Sequence, residues 1–543
     1  MNQRIEPRVP RGMRDMLPEQ MVRRQYVIDI VREVFEEFGF EPLQTPAIEL
    51  KETLSGKYGS DAERLIYSTT YGRGDEQLAM RFDLSVPLCR VIAMYPDLPK
   101  PFKRYQIAPV WRADRPQKGR YREFYQCDVD TVGSTSMLGD AETVAVIYTI
   151  LYRLGFREFT VYINNRKLLN GIGQYAGVPD NLLRGLYQSI DKLSKIGLEG
   201  VRVELLLVGI PDAIMDSLRR VTRLYLQGKL PLDQVGVRLR EESIPDEGKQ
   251  GMVLFPEDIA DAVTGKLREI LMDVAPGSVE SDIVQETAGR LVTGVTPELR
   301  QVFDMTTELI PEEVVERLLS LLDAEGENQN MLDSLRAKLV NYPDAIEGIS
   351  ELDDMFRYLD LLDVPERYYK LDVSMVRGLE YYTGPIYETI VEKPNVGSIT
   401  GGGRYDNLIG MFTDRSLPAT GTTIGIERII VVMEENDMFP PSIGRTMAQV
   451  LVTAFNQELL EESIKVAVKL REAGLMTQIY FDPDPLREQI GYAAAKEIPA
   501  LVIIGPDEAE QRQITVRDLR SKQQETLPVN QAVRKLQEWL WDL

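Results

Sequence analysis

The sequence predicts an α+β protein, with an antiparallel-sheet core, a large helical insertion within that core, and a C-terminal α/β domain. Three observations carry this. Phe102–Asp130 holds two extended runs on either side of a turn-rich loop, Asp114–Gly119, which reads as two antiparallel strands. Residues 166–366 show mostly helical periodicity and many acids, with Pro/Gly breaks near 209–211, 245–248 and 276–277. From Val450 onward, short apolar runs alternate with helical segments, the pattern of a parallel or mixed sheet.

At 543 residues the chain is too long for one core, so about three or four domains are expected. The boundaries we read are a core in two parts, 1–165 and 367–438, the insertion at 166–366, a linker at 439–447 stiffened by Pro440-Pro441, and a last domain at 448–543. An apolar content of 43% with 27% charged residues is that of a soluble globular chain. No run is long enough to span a bilayer and the start lacks an apolar signal core, so a cytoplasmic location is expected.

The chain has no histidine and only Cys89 and Cys127. Zinc centres of the Cys/His type and Ser/His or Cys/His catalysis are thereby excluded, because the ligands and bases they need are missing. Any chemistry must rest on carboxylates, arginines, lysines, backbone and, where a metal takes part, Mg²⁺; no metal cage of protein side chains is expected. Two half-buried thiols are expected in place of a disulfide.

The elements follow in order. Arg23 to Phe38 spaces Tyr26, Val27, Ile30, Val31, Val34 and Phe35 as a helix stopped by Gly39. Phe40 to Glu49 reads as a strand whose prolines suit an edge or interface. Gln77 to Arg90 offers a strand ending near Asp83 and Ser85, two apart, which either hold an ammonium group or form a capping turn. Asp140 to Leu154 is helical, Glu158 to Asn164 extended, and strand character returns at Tyr369 to Val373 and Tyr381 to Val391. Gly401–Asp406 is expected to open a short helix, with its glycines allowing close packing near a ligand. Gly421 to Glu434 is a strand or glycine-rich entry to a helix that carries Arg428 near its start.

Charge singles out one stretch. Phe102 to Arg122 holds seven basic residues (Lys103, Arg104, Arg112, Arg115, Lys118, Arg120 and Arg122) against one acid, Asp114, in a chain of net charge −22. This strip is either one polyanion site or a solvated charged hairpin. The overall acidity argues against non-specific nucleic-acid binding, which needs many cations on one face.

The order of these pieces resembles motifs 1, 2 and 3 of the class II aminoacyl-tRNA synthetases. Within that class, VRGLEYYTG (376–384) and GGGRYDNLIGMF (401–412) resemble the two histidine-specific motifs of the histidyl-tRNA synthetase family. PRGMRD near the start, RFDLSVP at 81–87 and GRYREFYQCDVD at 119–130 resemble its eukaryotic-like branch. The resemblance implies activation of L-histidine by ATP with Mg²⁺ and transfer to histidine tRNA. It also implies a homodimer built on motif 1 and an anticodon-binding C-terminal domain.

Residue roles follow from the same resemblance. Asp83 and Ser85 would hold the substrate α-ammonium, and Gln126, Asp130, Tyr381, Tyr382 and Tyr405 would shape the imidazole pocket. Arg112 and Arg377 would grip the substrate carboxylate and the ATP α-phosphate, and Arg428 the γ-phosphate. Phe124 would stack on adenine, with Asp114 near the ribose or adenine edge. Arg115, Lys118 and Arg120 would meet the acceptor end of the tRNA.

Departures from the family pattern are Glu380 in RGLEYY, Ser85 for a threonine, and an insertion longer than usual, either a roof over the acceptor stem or a separate interaction module. A non-catalytic regulator or uncharged-tRNA sensor is the rival function. Such regulators usually lack the C-terminal domain and such sensors lose the arginines, whereas this sequence keeps both. The missing histidines are explained either by drift or engineering, or by an advantage in making this protein when histidine is scarce.

Overall fold

The two runs flanking the basic loop form ten-residue antiparallel strands, Phe102–Trp111 and Glu123–Val132, paired from Phe102↔Val132 to Trp111↔Glu123. In a computed structural model, residues 5–55, 64–70, 76–117, 119–209, 309–322, 326–376 and 381–541 are described, with short pieces between 217 and 300. The long pair takes the second and third places of an eight-stranded sheet. Its order is Glu41–Pro42, Phe102–Trp111, Glu123–Val132, Ala419–Ile424, Thr400–Arg404, Pro385–Ile390, Thr160–Asn165 and Tyr369–Leu371. Only the outermost pairings at each end are parallel.

Strand alternation gives this sheet two unlike faces. Tyr105, Cys127 and Val129 point into the main core, where Val27, Val31, Val34 and Phe35 of helix Pro18–Glu37 and Val144 and Ile147 of helix Leu138–Arg153 meet them. The opposite face carries the polar site. Both cysteines are fully buried, not half-buried as expected, and burial raises both thiols above their ordinary pKa.

Several boundaries differ from expectation. The first helix starts at Pro18, because proline suits a first helical turn, whose N–H has no partner to lose. The run from Phe40 to Glu49 splits in two: Glu41–Pro42 takes the edge of the large sheet, and Ile48–Leu50 joins a three-stranded sheet with Leu78–Met80 and Ser68–Thr69. The expected helix at Gly401–Asp406 is instead the strand Thr400–Arg404, followed by a short 3₁₀ turn at Ile409–Met411. Arg404 ends that strand in an ion pair with Asp140 and donates to the carbonyls of Ser134 (3.0 Å) and Ser136 (3.1 Å). That pairing fastens the strand to the start of helix Leu138–Arg153.

Within 166–366, helices Arg166–Ala176, Leu183–Ile190, Leu193–Leu207, Glu312–Leu322, Asn328–Lys338 and Pro343–Leu361 share the main apolar core, and a small hairpin pairs Ser243–Asp246 with Gly251–Leu254. The C-terminal domain has its own core. Strands Thr477–Ile479, Val450–Val452 and Ala500–Ile503 are parallel, and Gln513–Asp518 and Gln524–Pro528 extend the sheet antiparallel, which makes it mixed. Helix Val529–Trp541 closes it. Among the described residues no helix is long and apolar enough to cross a membrane.

Candidate functional site

Because side chains on a strand alternate, Phe124, Gln126, Asp128 and Asp130 project from one face of Glu123–Val132, away from the core. They form the floor of a cavity of about 440 Å³. Asp83 and Ser85 border it where helix Ser85–Met94 begins, and Tyr381, Tyr382 and Tyr405 border it from segments flanking Pro385–Ile390 and Thr400–Arg404. Arg112, Asp114, Arg120 and Arg428 line the same cavity.

One part of the cavity is acidic and phenolic. Asp130 lies 2.7 Å from the fully buried Arg104 guanidinium and accepts from the hydroxyl of Tyr405. Tyr405 meets Tyr381 edge-on at 5.9 Å, and Tyr381 packs beside Tyr382 at 5.0 Å. Gln126 Nε2 donates to Thr423 Oγ1 at 3.3 Å. Asp83 Oδ1 accepts from the Val86 amide at 3.0 Å, so the capping turn exists and borders the cavity at once.

Burial sets the electrostatics here. It pushes the Asp128 carboxyl up to about 7; Arg104 opposes the rise, while Asp130 and Asp83 add to it. Burial likewise raises Asp130, against the pull of Arg104 and Tyr405. The hydroxyls of Tyr382 and Tyr405 are raised by burial too, so both remain neutral donors.

The remaining part is cationic and aromatic. Arg112 Nε donates to the Phe82 carbonyl at 3.0 Å, and its guanidinium lies 4.3 Å from the Phe82 ring and 5.2 Å from the Phe124 ring. Arg428 donates to the Ser398 carbonyl. Such flat, fixed forks suit phosphate oxygens. Arg120 pairs with Asp114 at 3.0 Å, so this loop arginine lines the small-molecule cavity, where Asp114 was expected without it. Arg115 is exposed outside the lining. Lys118, Arg377 and Glu380 lie outside the described residues.

Glycines make the site possible by their missing Cβ. A Cβ on Gly421 would lie only 2.1 Å from Asp130 Oδ1, and one on Gly402 only 2.2 Å from the Gly421 carbonyl oxygen. The triple glycine therefore serves strand-to-strand packing beside the cavity. Sequence reasoning missed Asp128, Glu388 and Glu427 in the lining. Asp128 was reachable, being midway between Gln126 and Asp130 on an alternating strand. Glu427 was not, because its partners Arg14 and Arg24 are far off in the chain.

A family model described as histidyl-tRNA synthetase matches residues 12–229 and 286–429. The chain belongs to the histidyl-tRNA synthetase family. A second model, for an anticodon binding domain, matches residues 449–539. Curated relatives named histidine–tRNA ligase include one from Gloeobacter violaceus, 35% identical over 95% of this chain and 96% of its own length, and one from Aeropyrum pernix, 34% identical over 98% of each. These alignments span the long middle block as well. The solved histidyl-tRNA synthetase from Nostoc sp. PCC 7120 covers 99% of this chain and 100% of its own, with a TM-score of 0.73 and 26% identity. A structure titled ATP phosphoribosyltransferase regulatory subunit/histidyl-tRNA synthetase, from Bacillus halodurans C, has a TM-score of 0.59, covers 91% of this chain and 97% of its own, and at 18% identity shows likeness of fold alone.

Proposed function

We propose that this member of the histidyl-tRNA synthetase family activates L-histidine with ATP and transfers it to the 3′ end of histidine tRNA. The observation that carries this is one cavity that joins an acidic, phenolic part to a guanidinium-lined part and is sized for an amino acid beside a nucleotide. Asp83 and Ser85 take the α-ammonium, and Gln126, Asp130, Tyr381, Tyr382 and Tyr405 take the imidazole, a neutral ring that needs one donor and one acceptor. Phe124 stacks on adenine, and Asp114 sits near the ribose or adenine edge.

The histidine carboxylate is already ionised, so its attack on the α-phosphorus needs no general base. The new C–O–P linkage forms as the bond to pyrophosphate breaks, and the charge spreads over phosphoryl oxygens. Arg112 and Arg377 meet that charge at the α-phosphate and Arg428 at the γ-phosphate. In the second step a hydroxyl of the terminal ribose attacks the acyl carbonyl and AMP leaves. Arg115, Lys118 and Arg120 guide the acceptor end.

Magnesium fits as a passenger on the triphosphate. Among the described residues no three carboxylates form a cage, and Glu388, opposite Gly401 in the sheet, is the side chain placed to share it. The ion would neutralise charge on the departing pyrophosphate.

The division of labour is a core at 1–165 and 367–438, an insertion at 166–366, a linker at 439–447 and an anticodon-binding domain at 448–543. A homodimer accounts for the exposed apolar side chains Ile48, Leu50, Met94 and Tyr95 near motif 1, and the site of action is the cytoplasm. The test is histidine-dependent ATP–pyrophosphate exchange followed by charging of purified tRNA. A folded protein with neither activity would point to the regulator instead.

A further inference from the structure

Asp128 is 3% exposed and lines the cavity between two residues already given roles, Gln126 and Asp130. Its strand partner across the sheet is Gln106 and its neighbour on the other side is Thr423. Thr423 donates to the Asp128 carboxyl and accepts from Gln126 Nε2 at 3.3 Å, which orients both side chains toward the cavity. The second carboxyl oxygen, Oδ1, meets no donor among the described residues, and neither does the carbonyl oxygen of Gln126. A buried carboxylate oxygen without a donor is costly, so this one is held for a ligand.

We propose that Asp128 is a recognition residue for the α-ammonium group of the substrate, acting beside Asp83 and Ser85. This rests on the function proposed above. An ammonium group has three donors and no acceptor, so it needs three acceptors in a buried seat, more than Asp83 and Ser85 alone guarantee.

Charge balance supports the same assignment. The groups facing Asp128 are Asp130 on its own strand, Arg104 on the adjacent strand, Asp83 and Arg81 on the segment leading to helix Ser85–Met94, and Tyr382 from the segment before Pro385–Ile390. Asp130 is matched by Arg104, and Arg81 is occupied by the carbonyls of Pro109 (2.9 Å) and Thr45 (2.8 Å). Asp83 pushes the Asp128 carboxyl up further, and this third acid has no cation of its own. Asp128 therefore keeps its proton up to about pH 7 in the free protein and gives it up as the ammonium docks.

Three ligands separate the ends of histidine: histidine itself, histidinol, which lacks the carboxylate, and imidazolepropionate, which lacks the amine. In Asp128→Asn, histidine and histidinol should bind about 10–100-fold more weakly, the loss of one charge-assisted hydrogen bond, while imidazolepropionate is unchanged. Calorimetry of the wild-type protein in two buffers of different ionisation enthalpy gives a second readout. Once the proton lost by each ligand's own imidazole is subtracted, histidinol should release close to one proton more than imidazolepropionate at pH 6, and at pH 8 the difference should vanish. Equal weakening of all three ligands would assign Asp128 to the imidazole and overturn the proposal. So would unchanged binding, or equal proton release from the two analogues after that subtraction. The proton count needs no variant, so misfolding of Asp128→Asn would not shield the idea. If the wild-type protein binds no histidine at all, the parent function falls, and this inference falls with it.

Discussion

Asp130 Oδ1 lies 2.1 Å from where Gly421 would carry a Cβ, and the same carboxyl accepts from Tyr405 and faces Arg104. The adjacent strand is thus bare at one residue so that a buried acid can lie flat against it. Gly421→Ala should displace the acid or the strand. We expect about 1–3 kcal/mol of lost histidine affinity, the usual cost of overpacking, with a smaller change in ATP KM. Pyrophosphate exchange measured against each substrate would check this, and an unchanged histidine KM would refute it.

Much of this arrangement was legible in the residues. Alternation on Glu123–Val132 and the turn chemistry of 114–119 specify a hairpin with one polar face. The basic strip from Phe102 to Arg122 was harder to read, because its seven positive charges look alike in sequence. Only the fold shows that Arg104 is fully buried beneath Asp130 while Arg115 is exposed. The glycine run was misread as a helix start because a strand of glycines has no side-chain pattern; its reason is Tyr387 and the Gly421 backbone pressing on Gly402. The hairpin Gln513–Pro528 went unread for another cause. Its second strand alternates exposed and half-exposed residues, so it carries little apolar signal.

Arg377 is assigned to the α-phosphate by resemblance, in a role shared with Arg112. Arg377→Ala should lower kcat for pyrophosphate exchange by about 3 kcal/mol, on the scale of losing one oxyanion donor, with histidine KM changed much less. Turnover near the wild-type value would remove the residue from the chemistry.

The ion pair of Arg404 with Asp140 is buried, with side chains 3% and 0% exposed. Removing the acid leaves a guanidinium with two carbonyl partners and only the longer 3.5 Å contact with Asp406 as counter-charge. Asp140→Ala should cost about 3–5 kcal/mol of core stability by denaturant titration. Glu37→Ala, which breaks an exposed pair with Arg153, should leave the midpoint where it was.

Asp128 also makes stability depend on pH. Its carboxyl titrates near 7 in the folded protein, against 3.8 as the ordinary value, so between these limits the folded state holds the extra proton. Stability from this group is greatest at low pH and is lost as pH rises toward 7. Asp128→Asn, with nothing to ionise, should melt above the wild-type protein at pH 8 and no higher at pH 4. A constant difference across that range would show that the side chain does not titrate there.

The C-terminal domain poses the last question, whether it serves tRNA alone. Its core, built from Val450, Val452, Leu470, Ala500, Val502, Val516 and Leu536, is distinct from the main one. Arg445 in the linker pairs with Glu497 at 3.1 Å and with Glu19 of the first helix at 3.5 Å, both exposed contacts of small energetic weight. None of the cavity-lining residues lies beyond Arg428. A chain ending at residue 446 should therefore keep pyrophosphate exchange within a few-fold, about 1 kcal/mol in transition-state stabilisation, because every small-substrate contact remains. Charging of tRNA should fall by orders of magnitude in kcat/KM, since an anticodon contact supplies binding energy that positions the acceptor end. If charging survives the truncation, the domain matched as anticodon-binding does not act on tRNA in this protein. If exchange is lost with it, the domain supports the catalytic core directly.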